Sequence, residues 1–183
     1  NPDQLRLVQG LRHNIDKLKQ QMDAALTPVR KAGDQLGASV DLDELLRKTL
    51  FGLEKLAKTK AVTIEKIGFE GAYPVPLAMN LLIQVLQNLV LNGIEAMPQG
   101  GSLTMTGTVD GGQLLLQVQD TGVGIGAADM EMIFDAFYTT KSSGTGLGLW
   151  LCRKIVTDAG GQMQCSSQPG SGSCFRITLP LSA

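Results

Sequence analysis

The middle of the chain contains a β-hairpin signal that restricts the fold more than any other feature of the sequence. The segments SLTMTGTV and QLLLQVQD flank Asp110-Gly111-Gly112. An acid-glycine turn between two alternating apolar segments is typical of a tight hairpin, because such turns require positive φ angles. The sequence therefore predicts an antiparallel strand pair here.

Helical and strand patterns mix on both sides of this hairpin. The predicted elements are a helix capped by Asp41 and ending near Lys58, a strand at 62–67, a helix from about Leu77 to Met97, a short helix near Met130, a helix from about Gly146 to Asp158, and a second hairpin around 169–172. Because strands and helices do not alternate strictly, we expect an α/β fold, a two-layer sandwich of a mixed β-sheet with helices on one face.

A long N-terminal helix is predicted before this sandwich. Asn1-Pro2-Asp3 has the residue types that begin helices, and apolar residues recur at spacings of three or four from Val8 to Val29. This helix would be roughly 40 Å long. Its narrow apolar stripe favours a coiled-coil contact between two copies of the chain, and packing on its own domain is the alternative. Residues 31–39 have the composition of a linker. Because the chain starts with Asn1, we expect a fragment of a longer protein.

Charge and cysteine content exclude several classes of protein. The net charge is −1, and the glycine-rich main body is acidic and lacks a basic stripe, which argues against nucleic-acid binding. Cys152, Cys165 and Cys174 lack metal-ligand spacing, and strand alternation places Cys165 and Cys174 on opposite faces. We therefore expect no disulfide and a cytoplasmic domain, which leaves room for a membrane anchor in the full-length protein.

Two asparagines on the long apolar helix are candidate metal ligands. Asn88 and Asn92 are four residues apart and share one helix face. Amide oxygens suit Mg²⁺, which takes few protein ligands and completes its octahedron with water and phosphate oxygens. Gly93 would allow another group to approach this helix closely. Alternatively, neighbouring backbone groups satisfy both amides.

DTGVGI, at 120–125, places an acid at the end of a strand. The Asp120 carboxylate can accept hydrogen bonds from an amino group, and Gly122 and Gly124 permit the close approach of a flat ligand. An ordinary turn is the alternative.

A second glycine-rich segment, TTKSSGTGLGL, leads into a helix. Unpaired amides at a helix N-terminus attract phosphate, and bare glycines allow its oxygens to reach them. Lys141 can add a full positive charge. The alternative is a glycine hinge that binds no ligand.

The order of these segments resembles that of the nucleotide-binding domain of sensor histidine kinases. The matching motifs are the N box (Asn88, Asn92), the G1 box (Asp120, Gly122, Gly124), the F box (Phe134, Phe137) and the G2 box (Gly144, Gly146, Gly148). The resemblance extends from about Val40 to Pro180, and four motifs in order make it highly specific. Gyrase, Hsp90 and MutL share this fold in the GHKL superfamily.

The resemblance implies that ATP and Mg²⁺ bind here. Asn92, helped by Asn88, would hold Mg²⁺, and Asp120 would accept a hydrogen bond from the adenine amino group. Residues 138–148 would form a lid, with Lys141 near the terminal phosphate. The implied nucleotide contacts also include Gly122, Gly124, Gly144, Thr145, Gly146, Leu147 and Gly148, and the implied catalytic residues are Asn88 and Lys141.

Two positions depart from patterns within the superfamily. Gyrase-like ATPases carry a glutamate base where this chain has Asn88, which cannot act as a base, so we expect slow intrinsic ATP hydrolysis. Glu95 stands where many histidine kinases carry a basic residue.

The implied function is that of the catalytic domain of a bacterial two-component sensor histidine kinase. The γ-phosphate would pass to a histidine and then to a response-regulator aspartate. His13 is the only histidine of the chain, and we expect it to lie on the helix surface rather than to accept phosphate. Residues 1–34 would be the second helix of a truncated dimerisation hairpin with its linker, and residues 35–183 the catalytic domain. A stand-alone GHKL ATPase and a nucleotide-free scaffold are the alternatives.

Overall fold

The computed structural model describes residues 39–141 and 144–182. The predicted N-terminal helix and His13 lie outside the described residues. In chain order the elements are β1 (Ser39–Asp41), α1 (Leu42–Leu50), α2 (Leu53–Thr59), β2 (Val62–Gly68), β3 (Ala72–Pro74), α3 (Met79–Glu95), β4 (Gly101–Asp110), β5 (Gln113–Asp120), α4 (Ala127–Met130), α5 (Gly148–Asp158), β6 (Gln162–Gln168) and β7 (Gly172–Pro180).

A five-stranded mixed sheet in the order β2-β4-β5-β7-β6 forms one layer of the domain. β2 pairs with β4 in parallel, and the other neighbours are antiparallel. The predicted hairpin is confirmed: Gly111 and Gly112, both with positive φ, form the two-residue turn between β4 and β5. A separate two-stranded sheet joins β1 to β3, and the sequence did not predict this pairing.

The helices cover one face of the main sheet, so the predicted two-layer α/β architecture is confirmed. α3 places Leu82, Leu86 and Leu89 in the core, where each is at most 1% exposed. Alternate residues of the sheet, such as Leu103 and Leu116, face this layer and are buried. Helix residues spaced three or four apart and strand residues spaced two apart thus pack together in one core.

The predicted helix from Asp41 to Lys58 is two helices, which corrects the expectation of a continuous one. Asp41 does cap α1, since its side chain accepts a 2.8 Å bond from the Glu44 N–H. The break comes after Leu50, because Gly52 adopts a left-handed conformation with a φ of 81°. This turn redirects the chain into α2.

All three cysteines are free, as the strand alternation predicts. Cys165 pairs across the strands with Phe175, whereas Cys174 pairs with Ser166. Burial raises the pKa of Cys152 to about 11 and that of Cys165 to about 12, so both thiols are protonated at neutral pH. None of the helices in the described part of the chain combines the length and apolarity needed to cross a membrane.

Candidate active site

A cavity of about 490 Å³ opens between α3, the start of α5 and the ends of β5 and β7. The predicted site residues that line it are Asn88, Asn92, Asp120, Gly124, Lys141, Gly144, Thr145, Gly146 and Gly148. Gly122 and Leu147 do not line it. The segments that carry the motifs are distant in the chain, and the fold brings them together around this space.

Asn88 and Asn92 lie one turn apart on α3 and both contribute to the cavity wall. The Asn88 Nδ2 donates to Cys152 Sγ on α5 at 3.1 Å. Gly148 also borders Asn88, because a Cβ on it would lie 2.8 Å from both the nitrogen and the oxygen of the Asn88 amide. α5 therefore fixes the orientation of Asn88, a role for Cys152 that the sequence did not indicate.

Gly93 allows close approach to α3, as the sequence predicts, and the approaching group is the sheet. A Cβ at this position would lie 2.7 Å from Leu103 Cδ1 and 3.4 Å from Asp120 Cβ. The first distance is too short unless the Leu103 side chain moves, whereas the second is an ordinary contact. The glycine thus brings the metal-binding candidate Asn92 close to the strand that carries Asp120.

Asp120 is buried at the end of β5, where it is only 4% exposed. Its Oδ1 accepts hydrogen bonds from the backbone N–H groups of Gly122, at 2.8 Å, and Ser173, at 3.3 Å. Burial raises the pKa of Asp120, and these two backbone bonds partly oppose the rise. Both bonds end on Oδ1, so Oδ2 keeps its capacity to accept a hydrogen bond from a ligand.

Gly122 does not line the cavity, but its backbone N–H donates a hydrogen bond to the Asp120 carboxylate. A Cβ on Gly122 would lie 2.4 Å from the Ala96 carbonyl oxygen, just after the end of α3. Only glycine permits this packing, which places the Gly122 N–H against Asp120. Its contribution to the site is the orientation of the acid.

The segment before the glycine-rich stretch is anchored by Tyr138, which the sequence did not single out. Its hydroxyl donates to Asp129 Oδ1, and both residues line the cavity. This hydrogen bond raises the pKa of Tyr138, because the neutral hydroxyl is the donor. The preceding residue, Phe137, has a φ of 69°, and its N–H donates to the Gly146 carbonyl at 2.9 Å.

The glycine-rich stretch owes part of its composition to contacts within the protein. Gly146 has a φ of 68°, and a Cβ there would lie 2.3 Å from the Phe137 carbonyl carbon. Leu147 is 6% exposed and anchors the stretch in the interior. α5 begins at Gly148 rather than at Gly146, because the positive φ at Gly146 cannot continue a right-handed helix.

Lys141 joins this segment to the last turn of α3. Its Nζ donates to Asn92 Oδ1 at 2.9 Å and pairs with the Glu95 carboxylate. The side chains of both Lys141 and Glu95 are 45% exposed. The ammonium group is thus a cation held between an amide oxygen and a carboxylate oxygen.

These oxygens fit a hard divalent cation that takes most of its ligands from water and phosphate. Asn92 Oδ1 and Glu95 Oε2 already accept a positively charged group. Within 39–141 and 144–182, no group of three or more His, Cys, Asp or Glu side chains could enclose a metal ion. Asn92 Oδ1 and Glu95 Oε2 are oxygen donors of the kind that Mg²⁺ arriving with a phosphate ligand would require.

Comparison with known proteins identifies the family. Residues 79–183 match the family described as histidine kinase-, DNA gyrase B-, and HSP90-like ATPase. The chain belongs to this family. The matched region contains the asparagine pair, Asp120 and the glycine-rich stretch, so the domain is an ATP-binding domain of the histidine kinase-like type.

Relatives of this ATPase-family domain include sensor kinases and their isolated catalytic domains. The sensor histidine kinase ZraS of Escherichia coli K12 is 33% identical over 96% of this chain, which spans 38% of that relative's length. The catalytic domain of the histidine kinase ThkA, in a nucleotide-free form, is 30% identical with a TM-score of 0.70 over 79% of this chain and 95% of that domain. Full-length ShkA in complex with AMPPNP is 25% identical with a TM-score of 0.73, over 99% of this chain and 39% of ShkA.

Proposed function

We propose that this chain is the catalytic part of a bacterial two-component sensor histidine kinase, which transfers the γ-phosphate of Mg-ATP to a histidine on another element. The observation that carries the proposal is the single cavity in which a buried carboxylate, an asparagine pair and a glycine-rich helix start come together. These groups match the needs of adenine, Mg²⁺ and phosphate, respectively. The nucleotide in the related ShkA structure, AMPPNP, supports the same ligand class.

Each part of the cavity has a defined task in this proposal. Asp120 Oδ2 accepts a hydrogen bond from the adenine amino group, while Oδ1 stays bound to the backbone. The N–H groups at the start of α5 and the ammonium group of Lys141 bind phosphate oxygens. Asn92 holds Mg²⁺, with Asn88 beside it. When bound, Mg²⁺ supplies positive charge that balances the charge of the triphosphate.

The amide of Asn88 affects whether water or another nucleophile attacks the γ-phosphate. An amide cannot remove a proton from water, and the Nδ2 of this one is engaged with Cys152. Water is therefore poorly activated, and transfer of the γ-phosphate requires a better nucleophile than water. A histidine imidazole from the dimerisation hairpin is that nucleophile, and positioning supplies most of the catalysis.

The remaining parts of the proposal concern the whole protein. Residues 1–34 are proposed to form the second helix of the hairpin, which dimerises through its apolar stripe, and residues 35–183 the catalytic domain. The acceptor histidine is proposed to be one other than His13. A response-regulator receiver domain takes the phosphate onward, and the reaction takes place in the cytoplasm.

Titration calorimetry of this chain with AMPPNP, with and without Mg²⁺, tests the proposal. We expect binding that strengthens with Mg²⁺. Asn92→Ala should lose most of this strengthening, on the order of tenfold in Kd, because the metal loses its main protein ligand. Asn80→Ala, an exposed asparagine on the first turn of the same helix, is the matched control.

Two results would contradict the proposal. If the parent chain bound no nucleotide in either condition, a scaffold would be the better interpretation. If it bound Mg-ATP and hydrolysed it rapidly without a histidine acceptor, the chain would act as a stand-alone ATPase.

A further inference from the structure

Glu95 lies in the metal-binding region of the cavity, although no role was predicted for it. It follows Asn92 by three residues on α3, so the two side chains share one helix face. Lys141 Nζ contacts Asn92 Oδ1 at 2.9 Å and the Glu95 carboxylate at the same time. One positive group therefore occupies a position defined by two oxygen acceptors.

This position has the chemistry of a cation site. A carboxylate binds a hard divalent cation more strongly than a neutral amide does, because it carries a full negative charge. A metal ion bound to these two oxygens would lie next to the ammonium group that contacts both of them, and the two positive charges would repel each other. Glu95 also compensates the charge of Lys141 while the lysine stays there, so its ammonium attracts phosphate less.

We infer that Glu95 and Asn92 form one cation position that Lys141 fills in the metal-free protein and leaves when metal and nucleotide enter. Glu95 then faces the metal or its bound water, and Lys141 becomes free to bind phosphate oxygens. Without metal, the Glu95 carboxylate stays paired with Lys141, so the ammonium group is less able to offset the charge of the triphosphate. Glu95 thereby makes nucleotide binding depend on the metal. The inference rests on the proposed function of this cavity.

The test compares the Kd of AMPPNP in Mg²⁺ and in EDTA for the parent chain and for Glu95→Gln, by titration calorimetry. Loss of the carboxylate should tighten binding in EDTA and weaken it in Mg²⁺. The ratio of the two Kd values should fall about fivefold, the scale expected for half-exposed charge pairs. Glu70→Gln, which removes an exposed carboxylate outside the cavity lining, should leave the ratio unchanged.

An alternative role for Glu95 gives a different result. If Glu95 serves only as the partner of Lys141, Glu95→Gln should change both Kd values by the same factor, and an unchanged ratio would overturn the inference. Absence of nucleotide binding by the parent chain would instead refute the proposed function. Circular dichroism of each variant verifies that it is folded.

Discussion

Asp120 and Lys141 both line the cavity, but the chain holds them in different ways. Asp120 is 4% exposed, and its Oδ1 accepts two bonds from backbone N–H groups. Lys141 is about half-exposed, and its ammonium group contacts two side chains, those of Asn92 and Glu95. The first group is held by the main chain and the second by side chains that can rotate.

Under the proposed function, this difference predicts that Asp120 contacts the ligand without moving, whereas Lys141 changes its contacts on binding. Asp120 cannot move without a shift of β5 and β7, so it presents the same acceptor whether or not a ligand is present. The contacts of an exposed lysine are worth little individually and exchange readily for stronger ones. We therefore expect binding at Asp120 to be independent of metal, whereas the contacts of Lys141 change when metal and nucleotide bind.

The largest expected effect comes from Asp120→Asn. Asparagine keeps an acceptor for the two backbone N–H groups but replaces the second oxygen with a donor, which opposes the adenine amino group. AMPPNP affinity should fall about 10- to 100-fold, or about 1.5–3 kcal/mol, equally with and without Mg²⁺. Calorimetry measures this loss, and Asp135→Asn, an exposed substitution outside the cavity lining, is the control. A loss of AMPPNP affinity seen only in the presence of Mg²⁺ would contradict the expectation that binding at Asp120 is independent of metal.

The same variant has a predicted effect on the pH dependence of stability. Burial raises the pKa of Asp120 in the folded state, so the folded protein binds this proton more readily than the unfolded chain. The buried carboxylate therefore costs stability at neutral pH, and this cost disappears as the pH falls through the raised pKa. In urea titrations, Asp120→Asn should be more stable than the parent at pH 7, and the difference should vanish on acidification. A difference that grows on acidification would contradict this prediction.

Gly148→Ala tests whether Asn88 is also rigidly held. The new Cβ would lie 2.8 Å from the Asn88 amide, which is bonded to Cys152 and cannot turn away freely. The free energy of unfolding should fall by about 1–2 kcal/mol, with several-fold weaker nucleotide binding. Gly126→Ala is the matched control, because its Cβ would lie 3.7 Å from Asp129 Oδ2, an ordinary contact. If both variants behaved alike, Asn88 would be as adaptable as Lys141.

The smallest effect is expected at Thr49, a buried core residue that can be compared with the buried Asp120. Like Asp120 it is buried, but its Oγ1 has no hydrogen-bond partner among the described residues. Thr49→Val should raise the free energy of unfolding by about 1 kcal/mol, since an unsatisfied hydroxyl is replaced by a methyl group of similar size. Nucleotide affinity should not change. Thr59→Val, at an exposed helix end, should alter stability by less than about 0.5 kcal/mol. Destabilisation by Thr49→Val would mean that the hydroxyl has a bound water as partner.

Sequence patterns predicted the elements of the fold well where periodicity was strong. The hairpin at Gly111-Gly112, the apolar helix α3 and the two-layer architecture follow from local spacing, and the structure has them. The β1–β3 pair was missed because three-residue strands carry too little pattern. The break at Gly52 was missed because apolar spacing continues across it, and only the left-handed conformation reveals the turn.

Local sequence also predicted candidate site residues, most of which line one cavity, since amides, an acid and glycines have limited uses in such patterns. It could not indicate the contacts made across the fold. Cys152 meets Asn88 from another helix, Tyr138 meets Asp129, and Lys141 meets Glu95 from a segment 46 residues further along the chain. The sequence by itself therefore determined the family, the elements and the candidate site residues, because these depend on local spacing and residue type. The tertiary structure alone decided which groups orient those residues, because hydrogen bonds and close packing depend on distances that only the folded chain defines.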